Sequence, residues 1–141
     1  MAPTAKGGAV SAMSRTKGQA GEREVVAIIR TLTGHDVRRR VRQHQGDADL
    51  EGLPGWSVEV KRYRAVTPGL IAGWWEQTVS QARDVRALPV LFYRADRAEW
   101  RCVWPADLHS IPQVQTIRPG FEFTLDAPPD CWWSLVQCMT R

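Results

Sequence analysis

The sequence predicts an α/β domain in which a helix precedes three strands and a second helix precedes a further strand. Two observations predict this αβββαβ order. Apolar residues recur at helical spacing in residues 17–33 and again after Pro68, and short segments of alternating or wholly apolar residues lie between and after these helices. With 141 residues, 43% of them hydrophobic and 24% charged, the chain suits a single domain with one core.

The first predicted helix covers residues 17–33 and ends before Gly34. Glu22 lies three and four residues before the first apolar pair of the helix, so it shares the inward stripe, whereas Glu24 is rotated by about 200° and is expected on the solvated face. Glu22 is therefore expected to point toward the sheet. The alternative is an N-terminal charge that favours the helix dipole. The apolar stripe consists of Val25, Val26, Ile28, Ile29 and Leu32.

The segment after this helix predicts three strands, at residues 37–43, 48–51 and 56–61, with a turn at residues 52–55. Side chains alternate between the two faces of a strand, so Glu59 and Lys61 leave the same face. Folding back at the turn would bring Asp49 beside Glu59, and two close carboxylates require a cation, a proton or a lysine. Mg²⁺ suits such oxygen ligands. Taken alone, however, a Glu-x-Lys segment is also typical of a solvated strand face.

The second half predicts a helix from Pro68 to about residue 86, then strands at residues 89–93 and 100–104. Residues 121–125 are a further candidate strand, and residues 131–139 fit either a helix or a strand. In the helix, Gln77 and Gln81 are one turn apart and share a face. They either position a phosphate or nucleotide or form a semi-buried hydrogen-bonding pair.

The positive charge of the chain is concentrated in its first half. Residues 1–64 carry a net charge of +5, against −1 for residues 65–141. A basic patch is the electrostatic signature of nucleic-acid binding, although a basic run alone is typical of any solvated surface. The residues that flank the proposed carboxylate site are Arg38, Arg39, Arg40, Arg42, Arg62 and Arg64.

Several other classes of protein are disfavoured. The three cysteines, Cys102, Cys131 and Cys138, form no close pair, which indicates reduced thiols, a cytoplasmic setting and no familiar zinc site. No apolar run approaches the roughly 18 residues of a membrane span. Residues 1–16 lack the apolar core of a signal peptide and are expected to form a flexible basic arm.

The order of these residues and elements resembles the PD-(D/E)XK nuclease superfamily. Within it, the segment Lys-Gly-Gln-Ala-Gly-Glu-Arg-Glu at residues 17–24 is similar to the opening of archaeal-type Holliday-junction resolvases and of related small phage nucleases. Residues 52–62 and 89–94 look particularly like the phage group. The resemblance covers about residues 15–108.

The resemblance implies a restriction-endonuclease-like mixed β-sheet flanked by helices. It also implies that Asp49 and Glu59 are metal ligands, that Lys61 orients or activates the attacking water, and that Glu22 completes the catalytic cluster. The chain departs from the superfamily in having Ala48 where a proline precedes the aspartate. Asp47, on the same strand face as Asp49, is therefore a rival metal ligand.

The function that follows is a Mg²⁺-dependent endodeoxyribonuclease, with Mn²⁺ as an expected substitute and four-way junctions as the favoured substrate. Two coordinated cuts at a junction favour a homodimer. Alternatives are a nuclease acting on linear duplexes, flaps or ends, and a DNA-binding module that has lost activity. We expect a nuclease core at residues 17–108, a C-terminal extension at 109–141 packed on the same domain, and neither a membrane partner nor an organic cofactor. The predicted DNA contacts are Lys17, Arg38, Arg39, Arg40, Arg42, Arg62, Arg64, Gln77, Gln81 and Arg94.

Overall fold

The computed structural model describes the backbone of residues 4–41, 46–110, 112 and 116–139, and their side chains from residue 15 onward. Within this part of the chain, six strands form one sheet in the order of the sequence, and three α-helices pack on it. The predicted αβββαβ order is confirmed. The elements are α1 (Thr4–Thr33), β1 (Arg38–Arg39), β2 (Leu50–Glu51), β3 (Trp56–Tyr63), α2 (Pro68–Asp84), β4 (Leu88–Ala95), β5 (Arg101–Pro105), β6 (Thr124–Ala127) and α3 (Pro129–Met139).

The sheet is mixed, as the predicted fold class requires. β3 and β4 are parallel and pair along their whole length, from Trp56 opposite Leu88 to Tyr63 opposite Ala95. The other neighbouring strands are antiparallel. Parallel strands need a crossover connection, and α2 provides it. The helix begins at Pro68 because the side chain of Thr67 caps it, accepting a hydrogen bond from the Leu70 amide at 3.2 Å.

The helices cover opposite faces of the sheet. α1 and α3 pack on the face formed by Val58 and Val60 of β3, where Trp132 of α3 is fully buried. α2 packs on the other face, where Trp74 and Trp75 join the core. Because β3 alternates, its Glu59 and Lys61 side chains lie on the α2 face. The strand that carries the proposed site therefore runs between two buried layers.

Helix α1 begins at Thr4, which corrects the predicted start at residue 17. Residues 4–16, predicted as an arm without regular structure, are helical. Ala5, Ala9 and Ala12 are strong helix formers, and no proline follows Pro3 until the helix has ended. None of the described helices is long and apolar enough to cross a membrane.

Three further elements differ in extent or type from their predictions. β1 was predicted for residues 37–43, but only Arg38–Arg39 pair as a strand, and residues 42–43 lie outside the described part. Residues 121–123 form a short 3₁₀ turn, so β6 begins at Thr124. Residues 131–139, which fitted either type, belong to α3. Trp132 and Val136 lie one helical turn apart and are both buried.

Candidate active site

Asp49 is fixed at the point where β2 meets β3. Leu50 pairs with Val58, and the Asp49 amide donates to the Val58 carbonyl at 3.1 Å. The side chain then accepts a hydrogen bond at Oδ2 from the Val60 amide at 2.8 Å, with 1% of Asp49 exposed. The Asp49 carboxylate is therefore held against the backbone between Glu59 and Lys61.

Glu59 and Lys61 leave the same face of β3, as the alternation predicts. Only 3% of Glu59 is exposed, and the Lys61 Nζ lies 3.5 Å from Glu59 Oε1. Because Glu59 is buried, the alternative of an ordinary solvated face does not fit. Burying a carboxylate is costly unless a cation compensates for it, and Lys61 supplies one positive charge at this position.

Glu22 points toward the sheet, as its position in the apolar stripe of α1 predicts. Its carboxylate is buried and accepts a hydrogen bond at Oε2 from Arg39 Nε at 2.8 Å. Arg39 is the residue of β1 that pairs with Leu50 of β2. Glu22 is thus hydrogen-bonded to the edge strand β1, and its partner Arg39 lies opposite the residue that follows Asp49.

The predicted cluster of three carboxylates is not assembled. Among the residues that the structure describes, no three His, Cys, Asp or Glu side chains lie close enough together to hold a metal ion. The Glu22 carboxylate is bound by Arg39, and the rival Asp47 lies along a neighbouring cavity. The roles of Glu22 and Asp47 stay predictions.

The residues nevertheless fit a Mg²⁺ ion. Mg²⁺ is commonly held by one or two carboxylates and completes its shell with waters and substrate phosphates. Asp49 and Glu59 provide two buried carboxylates where β2 pairs with β3, and Lys61 lies against Glu59. This donor set consists of the hard oxygen ligands that Mg²⁺ prefers.

Glu24 was expected on the solvated face of α1, and the structure corrects this. Its carboxylate accepts hydrogen bonds from Arg62 and Arg94, each at 3.2 Å, and from the indole of Trp100 at 3.0 Å. We call these four residues the Glu24 cluster. Helical spacing correctly placed Glu24 on a different face of α1 from Glu22. Nothing in the sequence of the helix, however, shows that residues of β3, of β4 and of the segment before β5 contact Glu24.

The predicted DNA-contact residues fall into two groups. Besides Arg38 and Arg39, three lie in ion pairs within the protein: Arg62 and Arg94 in the Glu24 cluster, and Lys17 with Asp96 at 2.6 Å. The hydrogen bond from Lys17 is the main reason why the pKa of Asp96 is lowered. Arg64 is exposed. As DNA contacts, all four stay predictions.

The remaining candidates are divided between surface and interior. Arg38 is exposed and pairs with Asp36, whereas Arg42 lies outside the described residues. Gln77 is exposed and Gln81 is buried, so the two glutamines do not act together on one open surface. Their roles as DNA contacts also stay predictions.

Comparison with known proteins identifies the family. A family model described as "Phage putative PDDEXK endonuclease" matches residues 13–124. The chain belongs to this family. This PDDEXK protein is therefore a DNA endonuclease, and the resemblance seen in its motifs is confirmed. The match includes all four proposed catalytic residues and the whole sheet up to the start of β6.

Among solved structures, the structure of this PDDEXK protein is similar to that of Hjc, a Holliday junction resolvase from the archaeal hyperthermophile Archaeoglobus fulgidus. The two sequences are 19% identical over 77% of this chain and 88% of that chain, with a TM-score of 0.46. No curated protein matches the chain.

Proposed function

We propose that this PDDEXK protein is a Mg²⁺-dependent endonuclease that hydrolyses DNA phosphodiesters at four-way junctions. One observation carries the metal-dependent chemistry: the buried carboxylates of Asp49 and Glu59 lie on neighbouring strands with Lys61 Nζ 3.5 Å from Glu59. A pair of buried carboxylates beside a lysine is a costly arrangement for a purely structural site, because each charge loses its hydration. It is a favourable one for binding a divalent cation and a phosphate.

Each residue of the site has a distinct part in the hydrolysis. Mg²⁺, when bound, would neutralise the scissile phosphate and lower the pKa of bound water. Asp49 and Glu59 would hold the ion, and the Val60 amide keeps the Asp49 carboxylate in one orientation. Lys61 would hold the attacking water or offset the negative charge that develops on the phosphate. Mn²⁺ is expected to substitute for Mg²⁺, since it accepts the same oxygen ligands.

The preference for junctions rests on the resemblance of residues 17–24 to the opening of archaeal-type resolvases. Resolution needs two cuts related by symmetry, so we propose that the active form is a two-fold dimer. The exposed arginines near the site would bind backbone phosphates. We place the enzyme in the cytoplasm, since the three cysteines are free thiols.

The test is a cleavage gel with a four-way junction, a linear duplex and a flap built from the same oligonucleotides. Junction cleavage that requires Mg²⁺ and is lost in Glu59→Gln supports the proposal. The matched control is Glu76→Gln, the same change at an exposed residue of α2. Asp49→Asn against Asp47→Asn decides between the rival ligands. Full activity in both Asp49→Asn and Glu59→Gln would refute the metal assignment.

The same gel separates the alternatives. Equal cleavage of all three substrates, or faster cleavage of the duplex or flap, would replace the junction preference with a general nuclease. Binding without cleavage of any substrate in either metal would indicate a DNA-binding module. Binding should weaken steeply with salt, with each neutralised phosphate contributing about 0.9 to the logarithmic slope. Replacing Arg38, Arg39 and Arg40 by alanine should flatten that slope.

A further inference from the structure

A cavity of about 280 Å³ lies beside the proposed site, between the β2–β3 hairpin and the last turn of α2. By volume it holds roughly nine water molecules, since one occupies about 30 Å³ in the liquid. Gln81 of α2 lines one side and Ser57 of β3 lines another. Ser57 lies two residues before Glu59 on the same strand face, a separation of about 7 Å. The cavity lining therefore lies two residues along β3 from Glu59, one of the two carboxylates that would hold the metal.

Three polar atoms of the cavity lining have no hydrogen-bond partner among the described residues. They are Ser57 Oγ, Gln81 Oε1 and Arg40 Nε. Ser57 and Gln81 are 3% and 6% exposed, so water outside the protein does not satisfy them. Buried polar groups in native proteins are nearly always paired, and an exception calls for an explanation. Three exceptions around one cavity indicate an occupant that forms hydrogen bonds.

The charges of the lining restrict the chemistry of that occupant. Asp47, Glu51 and Asp84 line the cavity against a single cation, Arg40. A phosphate would meet net negative charge there. Among the residues that the structure describes, these three carboxylates do not form a group that could hold a metal ion, and Arg40 lies among them. A neutral group with both donors and acceptors fits best.

We propose that the cavity binds one nucleobase of the DNA, taken out of the stack from a nucleotide next to the scissile phosphate. An extruded base needs apolar walls for its faces and polar groups at its edge. Leu53 and the half-buried Trp56 supply apolar wall, and Ser57, Gln81 and Arg40 supply polar groups. The inference rests on the proposed function, because it places the base relative to the phosphate that Asp49 and Glu59 would address.

The test combines a change in the protein with a change in the DNA. Binding is measured in Ca²⁺ with junctions in which one nucleotide at a time, within three positions of the branch point, lacks its base. Stacking and contact with one base are worth about a tenfold change in affinity. We expect such a loss at one position only. Gln81→Leu, which removes the polar group at similar size, should weaken binding of intact DNA by about fivefold.

The decisive result is the combination. If the base occupies the cavity, Gln81→Leu removes contacts that the missing base also removes. The variant bound to DNA without that base should therefore lose no more than about tenfold in affinity relative to the wild type with intact DNA. The matched control is Gln77→Leu, the same change one turn away at an exposed residue. It should retain the full tenfold effect of the missing base. The thermal midpoint of Gln81→Leu should equal or exceed that of the wild type, since an unpaired buried amide oxygen is removed. If this variant does not fold, Ser57→Ala repeats the test.

The outcomes separate this inference from the proposed function. The base site would be overturned if the missing base still weakened binding about tenfold in Gln81→Leu, on top of the effect of the substitution. It would also be overturned if a missing base weakened binding to the wild type at no position. Mg²⁺ cleavage is scored on the same junctions, so cleavage without a base effect would leave the proposed function standing. A base effect without cleavage would overturn the proposed function and leave the base site.

Discussion

Replacing Glu24 by alanine should destabilise the protein without touching the metal ligands. The carboxylate accepts three hydrogen bonds, from Arg62, Arg94 and Trp100, at 3.0 to 3.2 Å. Hydrogen bonds to charged groups contribute about 1.5 to 3 kcal/mol each when buried. The Glu24 side chain is 38% exposed, so solvent screening reduces this strongly, toward the 0 to 1 kcal/mol of surface pairs. We expect a total loss of about 1 to 2 kcal/mol.

The magnitude can be checked by thermal unfolding followed by circular dichroism. For a chain of this size a loss of about 1 to 2 kcal/mol lowers the midpoint by about 3 to 8 °C. The matched control is Glu76→Ala, a helix-interior glutamate that is exposed. The control corrects for the higher helix propensity of alanine. Equal midpoints for the two variants would show that the Glu24 cluster does not attach α1 to the sheet.

Three further predictions concern the site, the pH dependence and the hairpin. Lys61→Ala should lower single-turnover cleavage by 10²- to 10⁴-fold with DNA binding retained; a loss of binding in parallel would assign Lys61 to affinity instead. Burial lowers the pKa of His109, so stability should fall as pH drops from about 6.5 toward the folded pKa. His109→Gln should flatten the dependence of the free energy of unfolding on pH in this range. Gly52→Ala should lower the thermal midpoint more than Gly55→Ala: both glycines have positive φ, but only at Gly52 would the added Cβ lie 2.5 Å from a backbone carbonyl oxygen.

The parts of the site that depend on local periodicity could be predicted from the sequence. Alternation alone placed Glu59 and Lys61 on one face of β3, and the turn at residues 52–55 brought Asp49 to them. The direction of Glu22 followed from helical spacing in the same way. These predictions need only the nearest ten residues or so, over which backbone geometry is regular.

The parts that depend on distant contacts could not be predicted. The partners of Glu24 come from β3, β4 and the residue before β5, which are 38 to 76 positions away along the chain. Nothing in the spacing of α1 specifies them. The cavity near Glu59 also depends on distant contacts, because it forms only when the end of α2 packs near the β2–β3 hairpin. The type of α3 was ambiguous, since a short apolar run fits both periods.

The position of β3 in the sheet has a consequence for amide exchange. β3 is third of six strands, and it pairs with β4 over eight residues on one side and with β2 at Val58 on the other. Backbone amides in such a strand exchange with deuterium only through near-global opening, whereas terminal segments exchange through local fraying. Glu59 and Lys61 therefore lie on a strand that opens only when the whole fold opens. Such a site is preorganised before the substrate arrives, and heat should abolish catalysis and folding in the same transition.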